Sequence, residues 1–463
     1  MTLSMRLGCR LFGVAALLLG ITADLRAQAT YSRVGYLEPD HKALAVKAVA
    51  AARARGGRVM VVRADGSGSH ATIQNAVDAA KAGDLVLVHP GTYRERVEFG
   101  NEKNGTKGHP IVLKSADKGA VVDGEKKRNC IVIRGDFVVV DGIECRNAKL
   151  EAKHPNNGSI SFLVSRGSVV RNCYVHDALQ GKNKAADIAL TEGHDYVISN
   201  NRLASKVFSA IDCGWKSTGG VVEYNECTGS YIGVYVHTMA HRTEVRYNYM
   251  HDMMQLSSTS REIWHGDGVW FRDNVGSSVH HNLIVGANAY GIRLYDFVYK
   301  SHGKGMPGYD QPKETHRVYN NTIIQAKLVG IAIDGAVENS VVKDNVVVGS
   351  ARAALLARKT KPGNRFERNV YWDCAQGWDS GGAAGPPKNA LAKADPRFAD
   401  AARGDYRPSP GSPLIDAGDP AGPIPAGGGD RPDIGAYELL RETPRQPAKP
   451  GARRRRGPVI VLP

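Results

Sequence analysis

Val222-Glu-Tyr-Asn-Glu-Cys, Val245-Arg-Tyr-Asn-Tyr-Met, Val279-His-His-Asn-Leu-Ile and Val342-Lys-Asp-Asn-Val-Val each place an apolar residue three positions before an asparagine and another two positions after it. Val169-Val-Arg-Asn-Cys-Tyr, Ile198-Ser-Asn-Asn-Arg-Leu, Val318-Tyr-Asn-Asn-Thr-Ile and Phe366-Glu-Arg-Asn-Val-Tyr extend the motif to eight copies. The asparagines are Asn172, Asn201, Asn225, Asn248, Asn282, Asn321, Asn345 and Asn369, spaced 29, 24, 23, 34, 39, 24 and 24 residues apart. A unit of about 24 residues therefore recurs, with insertions in two places. Val139-Val-Asp-Gly-Ile-Glu opens the series with glycine at the asparagine place.

Each unit also holds an earlier alternating run, such as Gly330-Ile-Ala-Ile-Asp-Gly, and no helical stretch lies between the runs. Two or three short strands per repeat without a helix predict a parallel β-helix and exclude leucine-rich and helical solenoids. The asparagine is expected to take a left-handed turn and to stack on its copies in neighbouring coils. Composition agrees: 52 glycines among 463 residues and 7% aromatics suit a turn-rich β architecture better than a helical bundle.

The net charge of +15 shrinks on inspection, because residues 1–29 carry +2 and 441–463 carry +6, leaving +7 for the body. With no zinc-finger spacing, RNP-like motif or basic helix, an acidic polysaccharide is the expected partner rather than nucleic acid. Arg6 and Arg10 precede the apolar run Leu11 to Ile21, and Ala27-Gln28-Ala29 supplies small residues for cleavage, so residues 1–29 read as an export signal. The run is too short for a membrane span, and a secreted or periplasmic monomer is expected. Six cysteines remain after processing, Cys130, Cys145, Cys173, Cys213, Cys227 and Cys374, and without paired metal spacing they are expected as free thiols.

Three further stretches carry a family likeness. Ala71-Thr-Ile-Gln-Asn-Ala-Val-Asp-Ala-Ala-Lys-Ala-Gly-Asp-Leu-Val-Leu-Val-His-Pro-Gly-Thr-Tyr, Gly108-His-Pro-Ile-Val-Leu-Lys-Ser with Val121-Val-Asp-Gly, and Asp395-Pro-Arg-Phe through Gly411-Ser-Pro-Leu-Ile-Asp-Ala-Gly to Asp433-Ile-Gly-Ala-Tyr-Glu resemble the right-handed parallel β-helix proteins of the pectin-lyase-like superfamily. The resemblance spans roughly residues 58–440 and implies an all-β fold: a single-stranded right-handed parallel β-helix with an N-terminal capping helix. The expected divisions are the signal at 1–29, a helical extension at 30–57, the β-helix at 58–383, a C-terminal segment packed on it at 384–440, and a disordered basic tail at 441–463.

Aligning the first strand of each unit by its inward residues gives the columns Ile188, Ile211, Val234, Val269, Ile292, Ile331 and Leu190, Cys213, Val236, Phe271, Leu294, Ile333. Alternation then turns outward Ala189, Asp212, Tyr235, Trp270, Arg293, Ala332 and Thr191, Gly214, His237, Arg272, Tyr295, Asp334, with Lys216, Asp273 and Asp296 just beyond. Two insertions, near 254–266 and 299–315, flank the same coils.

Such a face suits β-elimination on a uronate polymer. That reaction needs a neutralised carboxylate, a base for the adjacent C–H, and an acid for the leaving glycosidic oxygen. Arg272 and Arg293 are expected to pair with the carboxylate, His237 or its rival Lys216 to be the base, Tyr235 or Tyr295 the acid, and Trp270, Asp212 and Asp334 to bind sugar. Returning the proton on the other face would make the same set an epimerase. The family resemblance implies a Lys or Arg base with calcium, and Asp273 and Asp296 are the acids for that ion. The same two acids also suit a carboxylate-pair glycoside hydrolase, and a non-catalytic glycan-binding surface is a third reading.

Overall fold

The computed structural model describes residues 30–150, 157–180, 185–255, 265–296, 316–381, 385–424 and 428–440; the expected signal, the basic tail and most of both insertions lie outside them. Among the described residues three parallel sheets of twelve, twelve and eleven strands wind into one right-handed solenoid. A typical coil runs Val221–Glu223 in the first sheet, Glu226–Thr228 in the second and Ile232–His237 in the third. Each strand pairs with its counterpart in the next coil, so every coil supplies the hydrogen bonds its neighbour lacks. The interior is a continuous column of fully buried Val, Ile and Leu. Five of the six cysteines are buried free thiols, and Cys374 is a half-buried one.

Two helices serve the N-terminal end. The first, α1 (His41–Ala54), starts at Asp40, whose carboxylate accepts from the Ala43 N–H, and lays Ala52 against Leu85 and Val112 on the outside of the first sheet. The second, α2 (Ile73–Ala79), starts at Thr72 and buries Ile73, Ala76 and Val77 in the main core, closing the open end of the solenoid. A bare end would expose apolar interior and unpaired strand edges to water.

The asparagine ladder forms with two corrections. Seven asparagines, Asn201 through Asn369, are fully buried and stacked: in each of the first six the backbone N–H and side-chain amide donate to the Oδ1 of the next, as in Asn225 to Asn248 at 2.9 Å for both bonds, and Asn369 ends the series on Ala390 O. Asn172 is not a member. Strand pairing sets Val170 beside Ile198, so Cys173 occupies the ladder place and donates its N–H to Asn201 Oδ1, while Asn172 bonds Asn200. The eightfold motif is thus shifted by one residue in its first copy, and the glycine of the opening segment, Gly142, aligns with Asn172. Nor do the ladder residues take the left-handed turn. That falls on the residue before each: Asn200, Tyr224, Tyr247, His281, Asn320, Asp344 and Arg368, with φ of 50° to 55°. The ladder amide closes the turn from inside by donating across it, as Asn248 does to Arg246 O at 2.9 Å.

Candidate active face on the third sheet

The outer side of the third sheet holds the expected residues in the expected register. Pairing runs Asp212, Tyr235, Trp270, Arg293, Ala332 in one column and His237, Arg272, Tyr295, Asp334 in the next. One feature interrupts the alternation. Gly233, Gly268, Gly291 and Gly330 lie where an added Cβ would meet Met250, Ile284, Ile323 and Val347 of the second sheet, so each points inward together with the apolar residue that follows it. A side chain there would collide with the opposite wall, which is why the position is glycine in four successive coils. Because two residues in a row face the core, Asp267 and Trp270 share the outer face although they are three apart.

The face is not open, contrary to the expectation of an exposed surface. Tyr235 is 0% exposed, Trp270 5% and His237 7%. Tyr235 and Trp270 pack with Phe208 and Ile232 into a small apolar cluster on the outside of the sheet. Tyr235 is sandwiched between His237 at 4.1 Å and Trp270 at 4.8 Å. Burial drives the Tyr235 hydroxyl far above its ordinary pKa, against the opposing pull of Arg272, so it keeps its proton.

His237 and Asp212 form a pair, Nε2 to Oδ1 at 2.8 Å, and His237 Nδ1 meets Thr238 Oγ1 at 2.7 Å. A carboxylate only accepts, so the proton in the first bond belongs to Nε2, and in the neutral imidazole the lone pair falls on Nδ1. Arg272 donates to the Tyr235 hydroxyl at 3.2 Å and pairs with Asp273 at 3.2 Å. The Arg293 guanidinium lies 4.8 to 5.1 Å from the ring centres of Tyr290, Tyr295 and Trp270, and Arg272 approaches the same tryptophan at 5.9 Å. Trp270 is therefore the floor on which the two cations meet rather than a free sugar platform.

Three expected residues sit elsewhere in role or place. Lys216 is exposed in the left-handed turn after its strand. Asp334 is buried and bound to Arg358 at 2.6 Å and to the Gly335 N–H at 2.8 Å. Asp296 accepts from the Asp273 N–H at 3.0 Å; burial first, and the Asp273 charge second, raise it to about 7. Asp273 and Asp296 are neighbours, yet no group of three or more His, Cys, Asp or Glu able to hold a metal ion occurs among the described residues.

Asp267 escaped the reading of the sequence. It is fully buried on the outer face, accepts from the Tyr290 N–H at 3.2 Å through one oxygen, and has no hydrogen-bond partner for the other. Burial lifts it to about 6 despite the charge of Arg293. The signal was present in His265-Gly-Asp-Gly268, where the second glycine marks the break in alternation that turns Asp267 outward.

Comparison with known proteins agrees with this architecture. The family model described as Chondroitinase B matches residues 68–212, and that described as Right handed beta helix region matches residues 216–371. No curated protein matches the chain. Among solved structures, pectate lyase Pel9A is similar at a TM-score of 0.53 and 16% identity, over 82% of this chain and 96% of that one. The complex of XylC with xylose is similar at 0.52 and 12%, over 74% and 87%. At such identities the structural likeness speaks for the fold alone. With the family models and the three stacked parallel sheets, it makes this chain a right-handed parallel β-helix protein of pectin-lyase-like architecture.

Proposed function

We propose that this protein is a carbohydrate-active β-helix protein that cleaves a uronate-containing polysaccharide by β-elimination on the outer face of its third sheet. The observation that carries the reading is the meeting of Arg272 and Arg293 over Trp270, beside an oriented Asp212–His237 pair. Two guanidiniums in a poorly hydrated setting neutralise a uronate carboxylate and stabilise the charge that grows on it as the neighbouring C–H ionises. Asp212 holds the imidazole with Nδ1 as its basic nitrogen, bonded to the rotatable hydroxyl of Thr238. Tyr295, half-buried next to Arg293, is the proton donor to the leaving oxygen, and fully buried Tyr235 supports the imidazole by stacking. The family model and the fold of a pectate lyase favour the same chemical class.

Hydrolysis is the second reading, favoured by two carboxyl groups that retain protons near neutrality, Asp267 at about 6 and Asp296 at about 7. Incubation with pectate, alginate, glucuronan and glycosaminoglycans separates the two. Ultraviolet-absorbing unsaturated ends support elimination; new reducing ends without unsaturation establish hydrolysis and overturn it. No cleavage of any polymer in the panel leaves only binding and removes both.

A further inference from the structure

A concavity lies on a different face of the solenoid. The outer side of the first sheet and the C-terminal segment enclose a cavity of about 290 Å³, lined by Arg317, Tyr319, Val341, Lys343, Arg365 and Asp419, with Pro423 and Pro432 as its far wall. The segment is fastened there by an ion pair between Lys343 and Asp419 and by Asn320 Nδ2 donating to Asp433 O at 2.6 Å.

Its charges do not cancel. The two carboxylates of the lining are already engaged, Asp419 by Lys343 and Asp344 by Arg368 at 2.8 Å. Arg317 and Arg365 are exposed and form no ion pair among the described residues. Both pair with Val341, so the three form one outward column. The arginines therefore stand two coil steps apart, about 10 Å, with an apolar strip between them. Tyr319, pushed up to about 12 mainly by burial, keeps its hydroxyl proton as a donor.

We propose that this cavity binds an acidic oligosaccharide, Arg317 and Arg365 each taking a carboxylate and Val341, Pro423 and Pro432 lying against the sugar rings between them. Bidentate guanidinium pairing selects planar carboxylates, and two cations at fixed separation favour a ligand with repeated charges over a single anion. The site stands on the lining of this cavity and is independent of the reaction assigned to the third sheet.

The test is calorimetric titration of the full chain with trimers of galacturonate, mannuronate and glucuronate, with neutral maltotriose and with inorganic phosphate. It is carried out in wild type and in Arg293→Ala, which separates this cavity from the third sheet. At least one uronate trimer is expected to bind Arg293→Ala, in which the third-sheet face is disabled, and to bind tenfold or more weaker when Arg317→Ala or Arg365→Ala is added to that variant, with maltotriose and phosphate weaker still. Both arginines are exposed, so unchanged melting of these variants confirms intact folding. Equal binding by the Arg317 and Arg365 variants, loss of binding in Arg293→Ala alone, binding of maltotriose or phosphate as tight as the trimer, or no binding of any trimer overturns the proposal.

Discussion

Asp212 and His237 come from strands one coil apart and meet through a 2.8 Å bond that is almost wholly withdrawn from water. Stacking of the coils brings the strands together, and the Tyr235 ring, parallel to the imidazole at 4.1 Å, fixes the orientation of the histidine. Asp212→Asn keeps the shape and permits the opposite tautomer, in which the proton sits on Nδ1. The expected result is a fall in kcat of ~10²-fold or more with KM little changed. His237→Ala instead leaves a buried carboxylate without its partner and is expected to cost about 1–3 kcal/mol as well, read by urea unfolding.

Arg272 and Arg293 share a ring but differ in their bonds. Alanine at either is expected to lower turnover of the identified polymer by ~10²-fold or more, since each removes a cation facing the developing charge. Only Arg272→Ala also strips Asp273 and the Tyr235 hydroxyl of a partner, so only it should lower the melting temperature. Equal turnover in wild type and both variants would show that the chemistry lies elsewhere.

The ladder predicts a contrast between two asparagines that look alike in sequence. Asn248→Ala removes bonds to Val222 O, Arg246 O and Asn282 and leaves the Asn225 backbone N–H without its acceptor, all in the dry interior. A loss on the order of 2–4 kcal/mol is expected. Asn172 lies in a left-handed turn that glycine adopts freely, and Asp141, to which it donates at 2.9 Å, keeps Lys114 and Arg171, so Asn172→Gly is expected to cost no more than about 1 kcal/mol. Chemical denaturation of the two variants side by side distinguishes them.

Burial of Asp187 makes stability depend on pH. Its carboxyl is fully buried, accepts from the Ser205 N–H at 3.3 Å, and has one oxygen without a partner. Desolvation raises it to about 7, from an ordinary value of 3.8. Between those values the folded state holds a proton that the unfolded chain has released, so this group lowers stability as pH rises from about 4 to 7 and has no such effect below 4. Asp187→Asn is expected to be more stable than wild type at pH 8, by roughly 1–3 kcal/mol, and indistinguishable from it at pH 3.5. A constant difference across that range would contradict the assignment.

How much was legible follows from what kind of interaction placed each residue. The solenoid, its inward columns and the strand register of the active face were readable because a buried apolar side chain every second residue, repeated every 24 or so, leaves one way to stack the coils. The α2 cap was readable from Ile73, Ala76 and Val77 at helical spacing. The first ladder position was misread by one residue because Val169 and Val170 are both apolar, and only pairing with Val197 and Ile198 decides which one faces the core. Asp267 was missed because strict alternation cannot show two consecutive inward residues; the opposing wall of Met250, Ile284, Ile323 and Val347 imposes them.

The sequence by itself determined the fold, the order of strands and the set of side chains on the third sheet, since repetition and hydrophobic period are properties of the chain alone. Tertiary structure decided that this face is buried, that Asp212 serves His237, that Asp334 is spent on Arg358, and that Arg317 and Arg365 flank a cavity walled by a segment more than fifty residues further along the chain. Desolvation and ion pairing depend on distances between coils and on what covers them, and those exist only once the chain is wound.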